Sequence, residues 1–185
     1  MAYEAKNFDT LLGTQGFSDT LLKNHFTLYQ GYVKNTNALI ETLSAMAKDG
    51  KTATPEFAEL KRRLGWEFNG MRMHELYFGN MKNGSSGELP KGVDEIVAEF
   101  KAMGAMRGIG WVVRYFDPVS NESFNVWVNE HDVGHFAGCV PMIVMDVFEH
   151  AYMVDYGLKK ADYIDAFVNA IDWDVVSARW AAVKK

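Results

Sequence analysis

Val140-Pro141-Met142-Ile143-Val144-Met145-Asp146-Val147-Phe148-Glu149-His150-Ala151-Tyr152 is the stretch that decides how this chain is read. Residues 140–145 form a short, continuous apolar run, the pattern of a buried strand. The run ends on an acid. A carboxylate at the end of a buried strand is costly unless it is paired or coordinates something. His150, four residues after Asp146, can turn back toward the same spot. The pattern asks for a metal, and two further histidines would complete a site.

Upstream, Ser18-Asp19 opens a long helical pattern with Ser18 as its N-cap. Apolar residues recur along one face, through Leu21, Leu22, Tyr29, Tyr32, Val33 and Leu43, to a stop at Gly50. Thr54-Pro55-Glu56 is a second start, with a cap, Pro at the first helical position and an acid at the positive end. That helix is expected to run to about Phe78, with Gly65 and Gly70 as places for a break. The two helices read as an antiparallel hairpin. Residues 83–92, rich in Gly and Ser, mark a boundary. Beyond it the pattern predicts a helix at 93–103, strands at 109–116, 124–130 and 140–145, and helices at about 148–156, 160–170 and 174–183. In the second strand Phe124, Val126 and Val128 share one face. The expected fold is α+β: a long α-helical hairpin over residues 1–85, then an α/β lobe over 90–185 with a three-stranded antiparallel sheet and flanking helices. A site would lie between the two.

With 185 residues and 48% of them hydrophobic, the chain can bury a sizeable core, which excludes a disordered protein. The net charge of −5 and the lack of a basic stripe argue against nucleic acid as a partner. No apolar run is long enough to cross a bilayer, so no membrane association is expected. Cys139 stands alone, which leaves neither a disulfide framework nor a Cys₄ zinc site; it reads as a small buried residue beside a strand. Residues 1–6 contain no apolar segment of the kind that opens a secretory signal. A soluble, cytoplasmic protein is the expectation.

There are five histidines. His25, Tyr29 and Tyr32 share a helix face, since positions four and seven after His25 fall roughly 40° and 20° from it. His74 sits in an aromatic setting near the end of the second helix. His131 and His135 fall between strands, where solvation is the ordinary fate. Taken singly, each reads more simply as a core or surface residue. Collectively, His25, His74 and His150 are helix-borne in apolar surroundings and join one strand-end carboxylate, Asp146. Three neutral imidazoles and a carboxylate, with no thiolate, suit Fe, Mn or Zn.

Several motifs then resemble the iron/manganese superoxide dismutases over nearly the whole chain. They are Asp146-x-x-Glu149-His150-Ala151-Tyr152 with Tyr156, Tyr163, Asn169 and Trp173 downstream, then Gly108-Ile109-Gly110-Trp111, and Tyr32-Val33-x-Asn35-x-Asn37. The resemblance implies dismutation of superoxide at one Fe (alternatively Mn) ion per subunit, held by His25, His74, Asp146 and His150. It implies that Tyr32 stands at the substrate funnel and that Trp111 walls the site. His131 would hydrogen-bond the metal-bound solvent, where other members use Gln. It also implies a homodimer, with Glu149 reaching the partner subunit's His150 and Tyr152 at the same interface. Arg72 and Lys34 are candidates for steering the anion.

The chain departs from the family pattern in places. His25 precedes Tyr32 by seven residues rather than eight, and Asn24 holds the eighth position. Seven residues need no bulge, so a regular helix is predicted. The family's gateway His on this helix is absent, with Tyr29 or Leu28 near its place. Gly70 stands where one branch keeps a Gln, and Phe148 and Phe78 replace tryptophans. Two other classes compete: a zinc protein in the same cage, and a non-enzymatic interaction protein on the same fold. Retention of all four candidate ligands speaks against the second. Against the first, Tyr32, Trp111 and His131 suit redox tuning better than hydrolysis, for which no general base is placed.

Overall fold

The first long helix begins where the sequence puts its cap. In the computed structural model, which describes residues 2–183, Ser18 is extended and its Oγ accepts the Leu21 N–H at 3.0 Å. Helix α1, Asp19–Lys48, then runs without a bulge for 30 residues, about 45 Å. The expected regular helix is found. Thr54 Oγ1 accepts the Phe57 N–H in the same way and opens α2, Pro55–Phe78. This helix is unbroken at Gly65 and Gly70, where breaks were allowed for. Packing against α1 holds it straight, as tertiary contacts commonly override glycine's weak propensity.

Past α2, Asn80 ties the hairpin to the sheet. Its amide donates to Tyr77 O and Val144 O, and its carbonyl accepts the Val144 N–H at 2.7 Å. Helix α3 (Asp94–Gly104) leads to strands β1 (Trp111–Asp117), β2 (Glu122–Val128) and β3 (Val140–Asp146). All pairs are antiparallel, with β1 in the centre in the order β2-β1-β3. Strand β1 starts two residues later than the sequence predicts. Gly110 has φ +134, and a Cβ there would lie 2.0 Å from Val128 O, so the chain enters the sheet through a conformation only glycine holds. Strand β2 is shifted toward the N-terminus and ends before Glu130. Phe124 is exposed, not buried as its alternation suggested, because it lies near the outer end of an edge strand.

The segment after β3 departs most from expectation. In place of one helix there is a 3₁₀ turn, Glu149–Ala151, and then the short α4, Met153–Tyr156. His150 is therefore carried on a turn. The cause is Asp146 Oδ1, which accepts the Phe148 N–H at 2.9 Å and so competes with helical bonding. Helices α5 (Lys160–Ala170) and α6 (Trp173–Val183) follow as expected. Arg179 on α6 donates to Met142 O and Leu76 O and clamps β3 to α2. One hydrophobic core runs from the hairpin through the sheet to α5, built around Leu21, Met71, Phe78, Val112, Val144 and Phe167. Cys139 is only half-buried, since it sits in the loop leading to β3. Among the described residues, no helix is long and apolar enough to cross a membrane.

Candidate metal centre

Where the hairpin meets β3, four side chains converge. Asp146 is completely buried, and its two oxygens are divided. Oδ1 is held by the chain's own Phe148 N–H, while Oδ2 faces His150 Nε2 at 3.1 Å, His25 Nε2 at 3.2 Å and His74 Nε2 at 3.6 Å. The four donor atoms lie within 4.8 Å of one another. The sequence distances are long, 121 residues from His25 to Asp146, so only the packing of α1 and α2 on β3 brings the set together.

The protonation states suit a cation. His74 Nδ1 donates to Gly70 O at 2.5 Å, which fixes the proton there and leaves Nε2 as a bare lone pair. That Nε2 is buried and has no hydrogen-bond partner among the described residues. Burial holds His74 well below its ordinary pKa, with neighbouring His25 adding to the drop, and burial likewise lowers His25. Burial alone would raise Asp146, but the His150 and His25 imidazoles overcome it and keep the carboxyl ionised. Burial lowers His150, yet attraction to Asp146 raises it on balance. A metal-ligating His normally gives its other ring N–H to a carbonyl, as His74 does. Two imidazoles held neutral by burial, a third drawn to one carboxylate, and an orphaned buried lone pair fit a divalent or trivalent ion of intermediate hardness.

A second layer surrounds this cluster. Trp111 is the cross-strand partner of Asp146 and packs edge-on to His74 at 5.1 Å. Its indole N–H donates to His131 Nδ1 at 3.1 Å. Indole nitrogen only donates, so Nδ1 must accept. Burial depresses His131 to about 4, so the ring is neutral and carries its proton on Nε2. Nε2–H therefore donates to Tyr32 Oη at 2.7 Å, and no other hydrogen bond to that hydroxyl occurs among the described residues. Burial raises Tyr32 to about 12, so it stays protonated. Its ring stacks on His74 at 5.2 Å.

His131 is 1% exposed, against the solvated loop histidine that its sequence position suggests. Tyr32, Trp111 and the edge of Trp66 (4.7 Å) enclose it, and His135 Nε2 donates to its carbonyl at 2.7 Å while Tyr115 Oη bonds His135 Nδ1. Trp66 was missed in the sequence. Its signal was the Trp66–Gly70–His74 spacing of four, which aligns all three on one helix face. Asn24 is exposed, so the buried His25 is the residue α1 presents to the cluster. Tyr29 is buried; its hydroxyl accepts the Lys6 N–H and donates to Glu75 Oε1. Arg72 is paired with Glu75 at 2.6 Å and lies over the Tyr3 and Phe68 rings, which spends its charge locally. Glu149 is exposed, whereas Tyr152 is largely buried and stacks on Tyr163.

Helical hairpin, antiparallel sheet and a buried cluster of three histidines and one aspartate define the class: a protein with a site fit to hold one metal ion. Comparison with known proteins gives the family. The model for the iron/manganese superoxide dismutases, C-terminal domain, matches residues 90–179. An iron superoxide dismutase of Aquifex pyrophilus is 35% identical over 92% of this chain and 87% of its own length. One from Cupriavidus metallidurans is 36% identical over 90% of each. A manganese superoxide dismutase of Haloferax volcanii is 33% identical over 85% of this chain and 83% of its own. The chain belongs to the iron/manganese superoxide dismutase family.

Proposed function

We propose that this protein is a superoxide dismutase, binding one iron or manganese ion through His25, His74, Asp146 and His150. The observation that carries the reading is the bare, buried Nε2 of His74 facing Asp146 Oδ2 beside two more imidazoles. The overall reaction takes two superoxide anions and two protons to dioxygen and hydrogen peroxide. A redox-active ion held by these four residues would supply the one-electron exchange with each superoxide.

The chain's own residues supply the rest. Tyr32, half-buried at the mouth, accepts from His131 and so keeps its own O–H free to hand a proton to an arriving anion. Because Tyr32 stays protonated near neutrality, it serves as a donor that adds no charge to the entrance. His131, fixed in one tautomer by Trp111, orients that hydroxyl; the His135–Tyr115 pair secures the loop that carries it. Trp111, Phe148 and Trp66 exclude water around the pair. Gly70 leaves room only for the Tyr32 ring, so the polar role that a Gln takes in one branch falls to His131. Lys34 is the cation we assign to anion steering. Arg63 lies over Trp66 and its charge is felt by both Tyr32 and His131, but like Arg72 it is paired locally, with Glu67 at 2.6 Å.

Iron is placed first because the Aquifex and Cupriavidus relatives are named iron enzymes. A cytoplasmic homodimer is part of the proposal, supported by the lone cysteine and by exposed Glu149, Met153 and Val154 beside the site. Glu149 would reach the partner's cluster, and Tyr152 would meet the interface by its edge. The test is metal analysis of protein purified under native conditions, with superoxide consumption measured after separate loading with Fe, Mn and Zn. About one Fe or Mn per chain with activity is expected. Protein that takes up only zinc, or that is inactive with both redox metals, refutes the reading.

A further inference from the structure

The opposite face of the sheet borders a cavity. Arg114 lies on β1 three residues after Trp111, so the pleat turns it away from the metal cluster. Its neighbours across the sheet are Asn125 on β2 and Ile143 on β3. Arg114 is 8% exposed, and burial lowers its pKa. It donates to Ser123 Oγ at 2.6 Å and to Asn125 Oδ1 at 3.4 Å, both uncharged, and makes no ion pair among the described residues. Glu99, the carboxylate that acts on it electrostatically, is engaged by Asn125 Nδ2 at 2.6 Å. A guanidinium has five N–H donors in a planar fork suited to a carboxylate. Here that fork is buried and lacks one.

Beside it is a cavity of about 250 Å³, between α3 and α6. Arg114 is the one charged residue in its lining; Ile96, Phe116, Ile143, Trp173 and Trp180 form most of the rest. Phe116 and Trp180 meet edge-to-face at 5.3 Å, which gives one wall a fixed shape. Trp173 Nε1 is buried with no acceptor among the described residues. A guanidinium that makes no ion pair among the described residues thus borders a mostly apolar space. The guanidinium asks for a carboxylate oxygen, and the walls ask for hydrocarbon.

We propose that this cavity is a binding site for a small carboxylate with an apolar body about the size of one aromatic ring. The carboxylate pairs with Arg114, and the ring lies against Trp173, Trp180 and Ile143. A free phosphate matches the charge but leaves the walls bare; a neutral hydrocarbon matches the walls but leaves the guanidinium unpaired. A charge-assisted pair with a guanidinium this little exposed is stronger than one on the open surface. The site stands apart from the metal centre, and the proposal does not depend on the dismutase reading.

Phenylacetate is the probe, with phenylacetamide as its uncharged isostere, on the metal-loaded protein. Titration followed by tryptophan fluorescence and calorimetry is expected to show one saturable site per chain for phenylacetate. Phenylacetamide should bind at least tenfold more weakly. Arg114→Gln should weaken phenylacetate at least tenfold while leaving phenylacetamide unchanged. Ile96→Trp, which fills the cavity from a half-buried helix position and keeps the guanidinium, should abolish binding of both, and it carries the test if Arg114→Gln fails to fold. Metal content and superoxide consumption should match the parent in both variants. Absence of saturable binding at millimolar phenylacetate overturns the proposal. So does equal affinity for the amide, or binding that survives Ile96→Trp.

Discussion

Gly70→Ala is a one-carbon perturbation that should reach Tyr32, the residue proposed to stand at the substrate entrance. A Cβ at Gly70 would lie 2.5, 2.7 and 2.9 Å from Tyr32 Cδ1, Cε1 and Cγ, where carbon contacts normally fall near 3.5–4.0 Å. The ring must retreat by about 1 Å. It has little room, because it stacks on His74 and meets His131 edge-on at 4.9 Å. Overpacking of this kind costs about 1–3 kcal/mol. Replacing Gly by Ala inside a helix returns roughly 1 kcal/mol. The net is a loss of about 1 kcal/mol, or ~2–4 °C in Tm for a chain of this size. Activity should fall further than stability, since displacing a positioned group by about 1 Å can cost ~100-fold. Bound metal should be unchanged, because His74 keeps its Gly70 carbonyl bond. The decisive measurement is a double-mutant cycle by thermal melting. In a Tyr32→Ala background the clash is gone, and Gly70→Ala should turn stabilising by about 1 kcal/mol. If Gly70→Ala leaves Tm and activity at parent values, or destabilises equally in both backgrounds, the reasoning is wrong.

Other outcomes follow from the same geometry. Trp111→Phe removes the N–H that fixes the His131 tautomer; superoxide consumption should drop about 10-fold or more with metal content retained, as read by elemental analysis. His131, with its pKa lowered to about 4 from 6.5, should stay neutral with its proton on Nε2 from pH 5 to 8 in ¹H–¹⁵N spectra of zinc-loaded protein. Between those two pKa values the unfolded chain binds the proton and the folded one does not. This contribution therefore lowers stability as pH falls from about 6.5 to about 4 and is flat above, so His131→Gln should show a smaller loss of urea midpoint over that window. Ser18→Ala removes the α1 cap and the bond that Ser18 Oγ donates to Asp155 Oδ1 at 2.6 Å; a cost of about 1–2 kcal/mol is expected by thermal melting, and an unchanged Tm would dismiss the clamp.

What could be read directly were features with local causes. Ser18 and Thr54 set helix starts by accepting N–H groups three positions on, and Pro55 fits the first helical position, so α1 and α2 were legible to within a residue. The apolar run before Asp146 announced β3, and the seven-residue His25–Tyr32 spacing announced a helix without a bulge. The sequence by itself thus determined the α+β order and the kind of donors available for a metal. Only the tertiary structure decided which protons those donors carry. The His131 ring is buried and neutral because Tyr32, 99 residues away, and Trp111, 20 residues away, close over it. His150 rides a turn because Asp146 spends one oxygen on its own backbone. Arg114 is buried because its partners Ser123 and Asn125 and the α3 and α6 side chains beside it come from elsewhere in the chain. Burial and tautomer depend on groups distant in the chain, and no window of sequence contains them.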